Sequence, residues 1–148
     1  MPFSSPPIGV AALPQKPTFE IDGARFSTLG EFFAEISHEL IPGADWGHNL
    51  DAFNDILRGG FGTPDGGFVL CWKNSELSRQ RLGYPETARQ LELRLRRCHP
   101  SNREHVAGEL ARAKQSKGAT VFDWLIEISS VHAKGGFEEE DGVELVLE

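Results

Sequence analysis

An α/β fold with a small, mostly parallel three-stranded sheet flanked by helices is the architecture this sequence predicts. Three observations lead there. Short strand-like runs occur at residues 18–22, 67–72 and 143–148, near the start, middle and end of the chain. Between them lie segments whose apolar residues recur at helical spacing, preceded by capping residues. The resulting order, β-α-α-β-α-α-α-β, suits strands joined by helical crossovers, which run parallel.

Each element has its own justification. "TFEIDG" is a strand ending in an Asp-Gly turn, with a continuation through Ala24 to Phe26 expected. "TLGE" is a capping box in which Thr28 receives the amide of Glu31 and Glu31 reaches back. Leu29, Phe32, Phe33, Ile36 and Leu40 then form one buried stripe, and "IPG" stops the helix. Asn49 caps a second helix, whose inner face is Leu50, Phe53, Ile56 and Leu57 and whose stop is "RGG". "GFVLCW" is a continuous apolar run bounded by glycine, the pattern of a strand covered on both faces.

The stretch from about residue 76 to 119 reads as two or three helices punctuated by "LGYP" and "CHPSN", with Pro85 in a first turn and Ser101 as a cap. "TVFDWLIEISSVHAKGG" is a last amphipathic helix with Thr120 and Asp123 forming another capping box. Val121, Trp124, Leu125, Ile128 and Val131 make its stripe, and "VELVLE" alternates like a half-exposed strand.

With 148 residues, 39% of them apolar, the chain is long enough for one soluble domain with a real core. The Pro-rich residues 1–17 read as a loosely ordered arm without the basic start of a signal peptide, and residues 18–148 as the domain. No apolar stretch reaches membrane-spanning length. The two cysteines, Cys71 and Cys98, do not make a disulfide framework, and a reducing cytoplasm is the expected location. A net charge of −7 disfavours general binding to nucleic acid or anionic membranes and suits a basic partner.

The charge is unevenly spread. Residues 31–57 contain Glu31, Glu35, Glu39, Asp45, Asp51 and Asp55 and no lysine or arginine, an acidic face expected to steer a cationic partner. Ten of the fifteen basic residues fall within 76–120, among them Arg94, Arg96 and Arg97. These are expected to be solvated helix faces, or partly paired with the acidic remainder.

Asp51 and Asp55 stand one turn apart on the polar side of the second helix. With His48 they have the composition of an acid/base site, but open helix surfaces lack the burial that tunes a carboxyl for catalysis. Two carboxylates on one turn are too few to enclose a metal, and His99 and His105 lack zinc spacing, so neither metal nor cofactor is expected. No phosphate-binding loop or nucleophile elbow occurs. What remains is a phosphate mimic offered to a basic partner or a solvated helix start, and composition alone favours the latter.

"WGHNLDAFNDIL", with "FEIDG" and a helix before it and "VLCW" and a Ser/Arg helix start after it, resembles the barstar family of ribonuclease inhibitors. The shared positions are Gly47, Asn49, Leu50, Asp51, Ala52 and Asp55. The resemblance implies the sheet and helices already read, and a protein with no catalysis of its own. It also implies that the second helix and the loop before it plug the active site of a basic, secreted ribonuclease. On that basis Asp55 is the central aspartate, Asp51 its neighbour, and Gly47 and Asn49 the loop and helix start. Asp45 and Trp46 fall where the family prototype has adjacent tyrosines, leaving one aromatic anchor, and Asn54 replaces a tryptophan. A glutamate on the prototype's last helix lands near Ser130 or Val131, with Glu127 a distant substitute. The segment 76–119 is longer than in the prototype and reads as an inserted basic helical segment. Competing expectations are an RNA- or nucleoprotein-binding module using the Arg-rich helices, and an immunity protein of this scaffold against a non-nuclease toxin.

Overall fold

The computed structural model describes residues 16–64, 66–133, 136 and 141–148. Most of the Pro-rich arm and of the acidic stretch before the last strand therefore lies outside the described residues. Three parallel strands, β1 (Thr18–Asp22), β2 (Val69–Lys73) and β3 (Glu144–Leu147), form one sheet with β2 in the centre. Between β1 and β2 run α1 (Leu29–Leu40) and α2 (Leu50–Leu57). Between β2 and β3 run α3 (Ser75–Arg81), α4 (Tyr84–Arg97), α5 (Arg103–Lys114) and α6 (Val121–Val131). The α/β class with a small parallel sheet is as expected. Among the described residues four α-helices follow β2, because "LGYP" and the turn at Pro100–Asn102 divide the basic stretch into three.

Register gives the sheet two different faces. Phe19, Leu70 and Leu145 share one row, and Ile21 and Trp72 the next, all packed into the main core. The opposite face pairs Glu20 with Cys71 and Val146, and Val69 with Glu144. There Lys73 Nζ lies 2.7 Å from Glu148 Oε1 and 3.9 Å from Glu20 Oε1. The expectation that 67–72 is covered on both faces holds for Cys71, which is 5% exposed, while Val69 is half-buried and the cover on that face comes from polar neighbours. Val69 and Cys71 look apolar in sequence, but the strands beside them put Glu20 and Glu144 on that side.

β1 also ends earlier than expected. At Gly23–Arg25 the chain turns through one 3₁₀ turn, capped by Asp22 accepting from the Ala24 amide. A side chain at Gly23 would collide with the Ser78 hydroxyl and the Asn74 carbonyl, so glycine permits the close approach of α3. Ser78 in turn accepts a 2.9 Å hydrogen bond from the Trp72 indole.

Of the apolar residues expected in the interior, Leu29, Phe32, Phe33, Ile36, Leu40, Phe53, Ile56, Leu57, Cys71, Val121 and Leu125 are buried. Leu50, Trp124 and Ile128 pack on the core at its edge, and Val69 lies half-buried on the other face. Phe53 is fully enclosed, edge-to-face with Phe32 at 5.3 Å between centroids.

The basic helices are fastened to this core by two neighbouring residues. Glu86 Oε2 accepts from the Leu29 amide at 2.8 Å, the first amide of α1, and Arg89 and Gln90 bond the same carboxylate. Thr87 Oγ1 accepts from the Val121 amide at 2.8 Å, the first amide of α6. A small second cluster of Leu91, Leu110 and Ala113 holds α4 to α5.

Caps follow the sequence with two exceptions. Thr120 and Asp123 make a complete box. Thr28 receives the Glu31 amide, but Glu31 reaches back to the amide and hydroxyl of Ser27, one residue further out. Ser101 does not cap α5; it lies in a 3₁₀ turn where His99 Nδ1 accepts its amide.

Two expectations follow. Phe53→Ala should cost about 3–5 kcal/mol through the cavity it leaves, read as loss of unfolding free energy. Burial alone pushes the Glu86 carboxyl up, but the bonds from Arg89, Leu29 and Gln90 outweigh it and hold it below the ordinary value. A depressed folded pKa means stability present above the unfolded value of about 4.5 and lost as pH falls through the folded one. Glu86→Ala should therefore cost about 2–3 kcal/mol at neutral pH, with less loss for Glu86→Gln. It should also flatten the acid limb of the stability profile below about pH 4.5. An unaltered acid limb would show that Glu86 does not carry it.

Candidate inhibitory surface

The loop before α2 is shaped by backbone and by one hydroxyl. Gly47 has φ +82° and His48 φ +48°, two consecutive left-handed residues that turn the chain into the Asn49 cap. Glycine meets the first demand without strain. Ser37 of α1 accepts from the Trp46 indole and lies 3.0 Å from His48 Nε2, and the Trp46 and His48 rings lie 4.5 Å apart, tilted by 44°. Asn49 Oδ1 then receives the Ala52 amide at 2.8 Å and starts the helix.

Asp51 and Asp55 are exposed on α2, away from Phe53, Ile56 and Leu57, as the helical phase requires. Asp45 is exposed on the loop before them. Among the described residues neither Asp45 nor Asp51 forms an ion pair, whereas Asp55 Oδ1 lies 3.9 Å from Arg58 Nη1, one turn on. Both members of that pair are about half exposed, so the attraction is weak. Carboxylates held this way can accept charge-assisted bonds from an incoming cation without first breaking a strong internal pair.

Two expected contact residues face inward instead. Trp46 is 2% exposed and packs edge-to-face on Phe33, so it shapes the loop and offers no exposed aromatic anchor. The "ADWG" pattern cannot distinguish these roles, since an aromatic beside glycine suits either. Asn54 is half-buried, with Oδ1 2.7 Å from Nε2 of the fully buried His132. His132 Nδ1 lies 2.7 Å from Asp141 Oδ2, so these contacts tie α2 to α6 and to the approach to β3.

The acidic face is also smaller than its composition suggests. Glu35 is buried and accepts from the Asp22 amide at 3.0 Å, Glu31 is engaged by Ser27, and Glu39 lies 3.8 Å from Arg25. What remains open is Asp45, Asp51 and Asp55. On α6, Glu127 and Ser130 are exposed, the Ser130 hydroxyl donating to the Glu127 carbonyl.

Two features escape a sequence reading. Phe61, just beyond α2, is 45% exposed at φ +65°, an aromatic presented to solvent from a glycine-rich turn. An aromatic inside "RGGFGTPDGG" was the available signal. The second is a groove of about 630 Å³ between the loop-helix junction and α4. One wall is His48, Asn49 and Asp51, and the other is Gln90, Arg94 and Arg97. The packing of α4 through Glu86 and Thr87 brings these distant segments together.

Among the described residues no group of histidine, cysteine and acidic side chains is arranged to hold a metal ion. No helix among them is long and apolar enough to cross a membrane. No curated protein matches the chain. The family model described as barstar, the barnase inhibitor, matches residues 16–107, which run from just before β1 into α5 and include the whole loop and α2. With more than half of its length matched by that model, and with the parallel sheet and acidic helix in place, the chain belongs to the barstar family.

Proposed function

We propose that the chain is a stoichiometric inhibitor that occludes the active site of a small basic ribonuclease with α2 and the loop before it. The observation that carries this reading is the exposed pair Asp51 and Asp55 behind a pre-shaped loop, in a chain of the barstar family. The two carboxylates stand where substrate phosphates would lie and meet the cations that bind them. Barnase and barstar themselves are the standard example of a cationic enzyme steered by an acidic surface. The role is that of an immunity protein, held in the cytoplasm of a cell that secretes the nuclease. It has no catalysis of its own in this reading, because Asp51 and Asp55 are exposed carboxylates that serve as contacts for a partner's cations.

Gly47 and Asn49 belong to this surface through geometry, Asp45 through charge, and Trp46 and Asn54 by holding its supports in place. Phe61 joins it as an exposed apolar contact.

Asp55→Ala should weaken inhibition by about 2 kcal/mol or more, the level of an interface hot spot, mostly through faster dissociation. Asp51→Ala should lose less. Neither should shift the melting temperature appreciably, since both side chains are exposed. Wild-type affinity in a folded Asp55→Ala protein would remove α2 from the inhibitory surface. Glu35→Ala should act on stability, because Glu35 bonds β1. The pure protein should leave RNA intact with or without divalent metal. Cleavage abolished by Asp51→Asn would sink the inhibitor reading.

A further inference from the structure

The groove between α2 and α4 has walls of opposite charge. Asp51 stands on one side, Arg94 and Arg97 on the other, and Phe33, Leu93 and Trp124 supply an apolar floor. The two arginines differ from several cations of the same helices. Arg79 bonds Glu76 at 3.3 Å, Arg89 bonds Glu86 at 2.7 Å, and Lys114 lies 3.7 Å from Glu92. Arg94 and Arg97 form no ion pair among the described residues. Arg94 is nevertheless placed, its guanidinium 5.3 Å from the centre of the Trp124 ring. Stacking on an indole orients a guanidinium while leaving its N–H edge free for a planar acceptor.

A partner carrying only positive charge would be drawn to Asp51 and Asp55 and repelled by this second wall. A partner with a carboxylate beside its cationic centre would satisfy both walls at once. We propose that Arg94 and Arg97 are specificity-determining residues of the inhibitory surface. They receive an acidic side chain that the ribonuclease presents at the rim of its cationic site. The proposal rests on the inhibitory reading of α2 and adds the basic helix to it. The expectation that the basic segment is merely a solvated face then holds for Arg96, which lies outside the groove, but not for its neighbours.

The probe is whichever of barnase and a panel of small basic ribonucleases the wild-type chain inhibits, followed by binding kinetics. Arg94→Glu with Arg97→Glu should weaken binding at least about tenfold, a loss typical of opposing a carboxylate with another. Arg96→Glu with Arg103→Glu makes the same change in net charge away from the groove and should alter affinity less than about threefold. A reciprocal acid-to-lysine change at the rim of the enzyme should restore binding to the Arg94→Glu, Arg97→Glu protein, the signature of direct pairing in a double-mutant cycle. Equal effects of the two arginine pairs would overturn the proposal in favour of a diffuse field. Tighter binding by the groove variant would overturn it too, because the arginines would then only repel. So would tight, salt-sensitive binding of single-stranded RNA that is lost with Arg94 and Arg97, since the groove would then belong to a nucleic acid. Unchanged affinity in Asp55→Ala would instead defeat the underlying reading of α2, a result separable from the behaviour of the arginines. Inhibition of none of the enzymes would defeat both.

Discussion

Two adjacent side chains in the first turn of α4 fix where the basic helices sit against the core. Glu86 accepts the first amide of α1 and Thr87 the first amide of α6. A helix start leaves amides without partners inside the helix, and burying them unpaired is costly. Here the acceptors come from a third helix, so the caps of α1 and α6 are also the attachment of α4. A carboxylate at a helix N-terminus is further favoured by the helix dipole. The position of α1 then sets Ser37, Ser37 sets Trp46 and His48, and these set the approach to Asp51.

That chain of dependence explains which parts of the molecule were legible in its sequence. The stripe Leu29, Phe32, Phe33 and Ile36 declares its own phase, as do the Asn49 cap and the Thr120–Asp123 box, because each depends on residues within a turn or two. Asp51 and Asp55 could be placed on an exposed face by the same reasoning. The fates of Trp46, Asn54 and Glu35 could not. Each depends on a partner far along the chain or on another element: Ser37 for Trp46, His132 for Asn54, and the Asp22 amide for Glu35. The second face of the sheet was hidden for the same reason, since strand register decides which side chains stand beside Cys71.

The basic segment illustrates the limit of composition. Ten cations within 76–120 suggested one property, whereas the structure gives them several. Arg81 bonds the carbonyls of Gly23, Ala24 and Phe26 and secures the turn after β1. Arg79 lies over the Phe122 ring, and Arg89 serves the Glu86 cap. Arg94 and Arg97 face the loop that shapes the acidic helix. A charge becomes a structural or a recognition element according to what the fold sets opposite it.

The polar side of the sheet bears on the chain's redox chemistry. Burial and the adjoining Glu148 carboxylate push the Cys71 thiol up, so little thiolate forms near neutrality, and the thiolate is the reactive species. Its hydrogen is directed to Glu148 Oε2 at 3.0 Å. Oxidants and alkylating reagents thus meet a suppressed nucleophile there, while the half-buried Cys98 at the end of α4 is the more accessible sulfur. The expectation of a reducing compartment drew on the presence of two cysteines, yet one of them is passivated by its own surroundings. This fold accommodates a thiol in its sheet without making it a redox handle.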